Sequence, residues 1–324
     1  MYQKLEHIPL VTETFITLLQ WPLVGPQKVR KFALDFVKGT NITEKKIENN
    51  IQNFFGSKLI PDDETLKSSK IKARKIIDEC EKEKIKIISI IEKQYPPLLR
   101  KIKDPPPLLY AKGSLDCLTE TGCAVVGTRK ASDLGKKLAN KIGYALAQNG
   151  ILTVSGLALG IDTQAHMGAL KGLGKTVAIL AHGLHTVYPH SNRKLADEII
   201  DKGGALISEL WPGIPPRPPE FVRRNRIQSG MSKCSVVVES EEQGGTIHTA
   251  KFTINQGRYL FAVIPEFTDP LTKSFNDSGS NLLINEFGAE KLTNTITIIN
   301  FLKNASQENE NKSEHADLQL NLRI

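Results

Sequence analysis

The chain has 324 residues, with 43 Lys and Arg against 35 Asp and Glu, for a net charge of +8 at pH 7. An apolar share of 40% is ordinary for a soluble globular chain, no apolar run nears the roughly 20 residues that span a bilayer, and no signal-peptide pattern opens the sequence. We therefore expect a cytoplasmic protein without a membrane partner, whose basic balance favours an anionic one.

Residues 1–60 read as a small helical domain. Phe15, Ile16, Leu18 and Leu19 lead into Trp21-Pro-Leu-Val-Gly-Pro-Gln-Lys-Val-Arg-Lys31. A glycine-proline turn before a basic helix suits a helix-hairpin-helix or sterile-alpha-motif-like unit, or simply a small packing domain. Residues 61–86 are densely charged and read as a solvated helix. Ile85 to Ile91 is a strand candidate, and the prolines of Tyr95-Pro-Pro-Leu-Leu-Arg100 and Asp104-Pro-Pro-Pro-Leu-Leu-Tyr110 imply an extended path.

From residue 123 the pattern becomes regular. Apolar strand candidates are 123–127, 151–155, 176–181, 205–208, 235–239 and 259–264. Helical periodicity fills 132–148, 160–172, 192–202, 221–232 and 246–256. Strands without polar alternation are buried on both faces, which calls for a parallel sheet covered by helices. The predicted fold class is α/β: an extended Rossmann-like doubly wound, mostly parallel sheet over 61–302, after the small N-terminal helical domain. Residues 303–324 are polar and are expected to be a disordered tail.

In such a sheet, ligands sit at the carboxyl ends of the strands. Val125-Val-Gly-Thr-Arg-Lys-Ala-Ser132 ends the first regular strand, with Gly127, Thr128 and Arg129 at its tip. Ser155-Gly-Leu-Ala-Leu-Gly-Ile-Asp162 joins strand to helix, and its glycines suit either an anion on free helix amides or close packing. Asp162 reads as an N-terminal helix carboxylate rather than a catalytic one. Phe221-Val-Arg-Arg-Asn-Arg-Ile227 places Arg223, Arg224, Asn225 and Arg226 at the expected start of a helix. Their forks match phosphate oxygens, unless Glu209 or Glu239 pairs with one of them. Gly244-Gly-Thr-Ile-His-Thr-Ala250 is a further glycine turn before a helix.

Enzyme signatures are scarce: there is no G-x-S-x-G, no phosphate-loop motif and no clear G-x-G-x-x-G. The four cysteines, Cys80, Cys117, Cys123 and Cys234, form no C-x-x-C pair. His182, His185 and His190 lack further ligands at metal spacing, so neither metal nor cofactor is expected.

Taken together, Tyr95-Pro-Pro-Leu-Leu, Asp104-Pro-Pro-Pro, Val126-Gly-Thr-Arg129, Ser155 to Asp162, Gly183 to Pro189, Ser208-Glu209, Arg224-Asn-Arg-Ile227, Gly244-Gly-Thr246 and Gly279 to Ile284 with Gly288-Ala289 resemble the DNA-processing protein A (DprA, or Smf) family over 85–292. The resemblance implies a single-stranded DNA-binding protein, not an enzyme. It also implies a homodimer that protects DNA and helps load the RecA recombinase, as in natural transformation. By matching positions, DNA contact falls to Arg129, Arg223, Arg224, Asn225 and Arg226, with Lys175 a weaker candidate. Gly127, Thr128, Ser155 and Gly156 would add backbone or hydroxyl contacts. Thr128 replaces the family's usual serine, Pro265-Glu266 its proline-glycine, and the winged-helix-like domain of many members is not expected. The alternative is a Rossmann nucleotide-binding enzyme or sensor related to phosphoribohydrolases. Gln243-Gly-Gly-Thr-Ile-His-Thr249 lacks the spacing and glutamate of that motif.

Overall fold

The structure is a computed structural model that describes residues 8–36, 43–265 and 274–304. Of the tail expected over 303–324, Lys303 and Asn304 are helical, and the part from 305 onward lies outside the described residues, as does Glu266.

Four helices come first: α1 (Ile8–Leu18), α2 (Pro26–Phe36), α3 (Glu44–Leu59) and α4 (Asp63–Lys82). Thr43 and Asp62 cap α3 and α4 by accepting from the amides of Lys46 and Thr65. The charged sequence of α4 hides a buried stripe of Ser69, Ala73, Ile76 and Cys80 at helical spacing, so this helix is solvated on one side only.

The chain then builds β1 (Lys86–Ser89), a single turn α5 (Pro97–Arg100) and β2 (Leu108–Gly113). Contrary to the extended reading of this stretch, Pro97 begins a helical turn; proline is tolerated there because the first amide of a helix has no partner to lose. Next come β3 (Gly122–Val126), α6 (Asp133–Gln148), β4 (Leu152–Ser155), α7 (Ile161–Lys171), β5 (Thr176–Ile179), α8 (Arg193–Asp201) and β6 (Ala205–Ser208). The last segment holds α9 (Pro218–Gly230), β7 (Ser232–Val237), α10 (Gly245–Asn255), β8 (Tyr259–Val263), α11 (Ser278–Phe287), β9 (Glu290–Leu292) and a helix α12 over 295–304.

All the strands join one nine-stranded sheet in the order β1-β2-β6-β5-β4-β3-β7-β8-β9. From β6 to β9 every pairing is parallel, while β2 runs antiparallel to both β6 and β1. The fold is therefore the doubly wound, mostly parallel α/β class expected from the apolar strands. The order reverses at β3, because β4, β5 and β6 extend to one side and β7, β8 and β9 to the other. A crevice opens beyond the carboxyl ends of the strands at such a reversal.

Candidate nucleic-acid interface

The crevice at the reversal is a cleft of about 710 Å³. Its floor and walls come from the β3 tip, the loop before α7, the first half of α9 and the start of α10. Gly127, Thr128, Arg129 and Lys130 form one wall. Gly127 is required there, because a Cβ would strike Ile161 of α7. Thr128 is fixed through its backbone: its amide donates to the Glu239 carbonyl at 2.7 Å and its carbonyl accepts from Ile161 at 3.3 Å. This rigid strand tip holds the exposed Arg129 with its guanidinium carbon 5.0 Å from the centre of the Phe221 ring. That is a cation–π distance. Phe221 in turn lies 5.8 Å from Tyr188, which is 46% exposed. A cation and two aromatic rings thus meet at the cleft mouth.

The opposite wall is the start of α10. Gly245 begins this helix with no side-chain cap on Gly244, and Gly244, Gly245 and Thr246 line the cleft. Its first amides have no intrahelical acceptor, which gives the cleft a partial positive charge. Asn225 and Gln228 of α9 add amide groups, and the exposed Glu241 adds one carboxylate.

The Ser155–Gly156 turn plays another part than the expected one. Asp162, at the start of α7, turns back so that its Oδ2 accepts from the Gly156 amide at 3.0 Å. The anion held by this turn is the protein's own carboxylate, not an incoming phosphate. Ser155 is fully buried and its Oγ donates to the Val125 carbonyl at 2.7 Å. Burial raises the pKa of Asp162 above the usual carboxylate value, and the nearby Arg224 charge and the Gly156 amide partly offset this.

The three arginines have three different fates. α9 starts at Pro218, before Phe221, so the arginines lie in its second and third turns rather than at its N-terminus. The expected help from the helix field therefore falls away. Arg224 is 5% exposed and donates through Nη1 to the carbonyls of Ile179 and of Gly156, the latter at 2.9 Å. A Cβ at Gly156 would overlap this guanidinium, so that glycine serves close packing. Burial brings the Arg224 pKa down to about 10, with Asp162 pulling the other way and Arg129 adding to the fall. Arg226, also 5% exposed, forms a fork with Glu209 at 2.8 and 3.1 Å, and its Nε reaches Asp104 at 2.8 Å. Burial alone would lower its pKa; Glu209 and Asp104 more than reverse that. Arg223 is exposed, 3.4 Å from Glu209 and 3.7 Å from Glu220, and lies across α9 from the cleft.

Lys175 is not part of this cluster. It immediately precedes β5, at the amino end of the parallel strands, and pairs with Glu120 at 2.6 Å. Hydrogen bonding to Glu120 raises its pKa. Glu239, the other proposed arginine partner, instead accepts from Ser132 and from the Asn276 amide. The structure thus brings Gly127, Thr128, Arg129 and Asn225 to the open cleft, with Arg224 and Asp162 beneath it, and leaves Lys175 at the far end. Lys130 and Thr246, which lie within the quoted strand-end motifs, also line the cleft, as do Gln228 and Ser240, each next in sequence to a quoted segment.

Among the described residues, no helix is long and apolar enough to cross a membrane, and no group of three His, Cys, Asp or Glu is placed to hold a metal ion.

A family model described as DNA recombination-mediator protein A matches residues 86–303. The DNA processing protein DprA of Bacillus subtilis is 33% identical over 255 residues, covering 78% of this chain and 80% of that protein. The solved DNA processing protein A of Streptococcus pneumoniae superposes with a TM-score of 0.70 at 29% identity, over 92% of this chain and 98% of the other. A structure of the Helicobacter pylori protein concerned with its single-stranded DNA binding mode superposes at 0.59, with 26% identity, over 68% of this chain and 96% of the other.

Proposed function

Because this chain belongs to the DNA recombination-mediator protein A family, we propose that it binds single-stranded DNA in the cleft at the β3 reversal. The observation that carries this reading is Arg129 held over Phe221, with Tyr188 beside them, at the mouth of that cleft. An arginine fork suits a phosphate and the rings offer faces for bases, the combination by which sequence-tolerant single-strand binders work. Asn225 and the α10 amides complete the contact surface. Arg224, Ser155 and Gly156 act from beneath, by keeping the β4–α7 turn and α9 in place. The role that follows is protection of single strands and their delivery to the RecA recombinase as a homodimer, as in natural transformation.

We read the site as binding rather than catalytic. Asp162, Ser155 and Glu239 are all engaged in internal hydrogen bonds. The second reading, a mononucleotide pocket, draws on a cleft volume of about 710 Å³, which is also that of a small-molecule site. Titration by mobility shift separates the two. Arg129→Ala should weaken single-strand binding at least tenfold with an unchanged melting temperature. Binding by the unaltered protein should fall steeply with salt, by about 0.7 log units per log unit for each phosphate contact. A mononucleotide that binds as tightly as a long strand, or is hydrolysed, would replace the DNA reading with the pocket one.

A further inference from the structure

A second basic surface lies outside the cleft, where α6 crosses α7. Gly143 and Gly168 let these helices meet backbone to backbone: a Cβ at Gly168 would collide with the Asn140 carbonyl, and one at Gly143 with the Ala165 carbonyl. This close approach gathers Lys137 and Lys141 of α6 and Lys171 of α7 around a groove of about 510 Å³. All three lysines are exposed. Among the described residues, none of them has an acidic side chain at ion-pair distance; only the neighbouring Lys136 is paired, with Asp133 at 3.2 Å. Tyr144, 39% exposed, stands in the wall of the same groove.

Like charges collected without acids repel one another, and a polyanion relieves that repulsion. A ring among them adds a stacking face for a base. The cleft and the groove share no lining residue, but the chain leads from one to the other. Arg129 and Lys130 line the cleft, α6 starts at Asp133, and Lys137 and Lys141 follow about 6 and 12 Å along its axis.

We propose that single-stranded nucleic acid leaving the cleft past Arg129 and Lys130 runs on along the α6–α7 groove, with its phosphates on Lys137, Lys141 and Lys171 and a base on Tyr144. This track rests on the cleft reading, since it is entered from there.

The test uses the full chain, oligothymidylates of about 4 and about 16 nucleotides, the span of known single-strand site sizes, and three variants. Lys137→Gln/Lys141→Gln/Lys171→Gln should bind the long strand about tenfold or more weakly, and its log–log salt slope should shrink by about 2 for three lost phosphate contacts. Its binding of the short strand should not change. Tyr144→Ala should likewise cost about tenfold on the long strand alone. Arg129→Ala should weaken both lengths. If the triple variant and Tyr144→Ala keep full affinity and slope on the long strand while Arg129→Ala weakens both, the track is wrong and the cleft stands. If Arg129→Ala changes neither length, the cleft reading fails and the track that starts from it fails too. A triple variant unchanged toward DNA but unable to bind polyglutamate would assign the groove to an acidic protein and overturn the proposal.

Discussion

Arg224 and Arg129 stand close enough for one to influence the other's titration, yet their surroundings give them opposite tasks. Arg224 is buried against the carbonyls of Gly156 and Ile179 and shares its site with the buried Asp162. Arg129 is exposed over an aromatic ring. Removing Arg224 leaves two buried carbonyls without their donor, at about 1–3 kcal/mol each, and takes the nearby positive charge from the buried Asp162. Arg224→Ala should therefore lower the unfolding free energy by that order in a urea titration, whereas Arg129→Ala should leave it unchanged. A full-stability Arg224→Ala that has lost DNA binding would instead make Arg224 a direct contact. The arginine cluster itself was legible from Phe221 to Ile227. Which arginine turns inward was not, because that depends on Asp104, Asp162 and Glu209, which reach α9 from distant parts of the chain.

At the scale of elements, the central sheet was readable because parallel strands covered on both faces are buried at every position, as in β3 and β4. The elements that escaped were short or at the margin. β2 follows directly on a proline run, β9 has only three residues, and α11 begins in a serine- and glycine-rich segment. Glycine was the ambiguous signal. Gly156 and Gly168 look alike in sequence, yet the first makes room for a guanidinium and the second for a neighbouring helix backbone. Gly168→Ala would push α6 from α7, and overpacking of this kind costs about 1–3 kcal/mol. The expected result is a denaturation midpoint lowered accordingly, with the slope unchanged. An unaltered midpoint would mean that the two helices are free to separate.

Across the whole molecule, the boundary between helical and sheet parts is not a boundary in the core. Phe15, Trp21, Phe32 and Phe55 belong to the same buried cluster as Ile76, Ile88, Tyr95, Leu109, Val177, Ile179 and Ile207. The helices α1 to α4 and one side of the sheet therefore share one apolar interior. The rings interlock within the helical part, with Phe15 6.1 Å from Phe32 and Trp21 5.8 Å from Phe55. The sequence hid this union because α4 reads as a charged, solvated helix, and its buried stripe of Ala73, Ile76 and Cys80 shows only once β1 lies beside it. Deleting residues 1–60 should therefore uncover apolar side chains of α4, β1 and β2 rather than free an intact sheet domain. With several kcal/mol of burial lost, the melting temperature should fall by about 10 °C or more. The shortened chain should also bind a dye that reports exposed apolar surface. An unchanged melting temperature in the deletion variant would show instead that the sheet folds independently and that the shared cluster adds nothing to its stability.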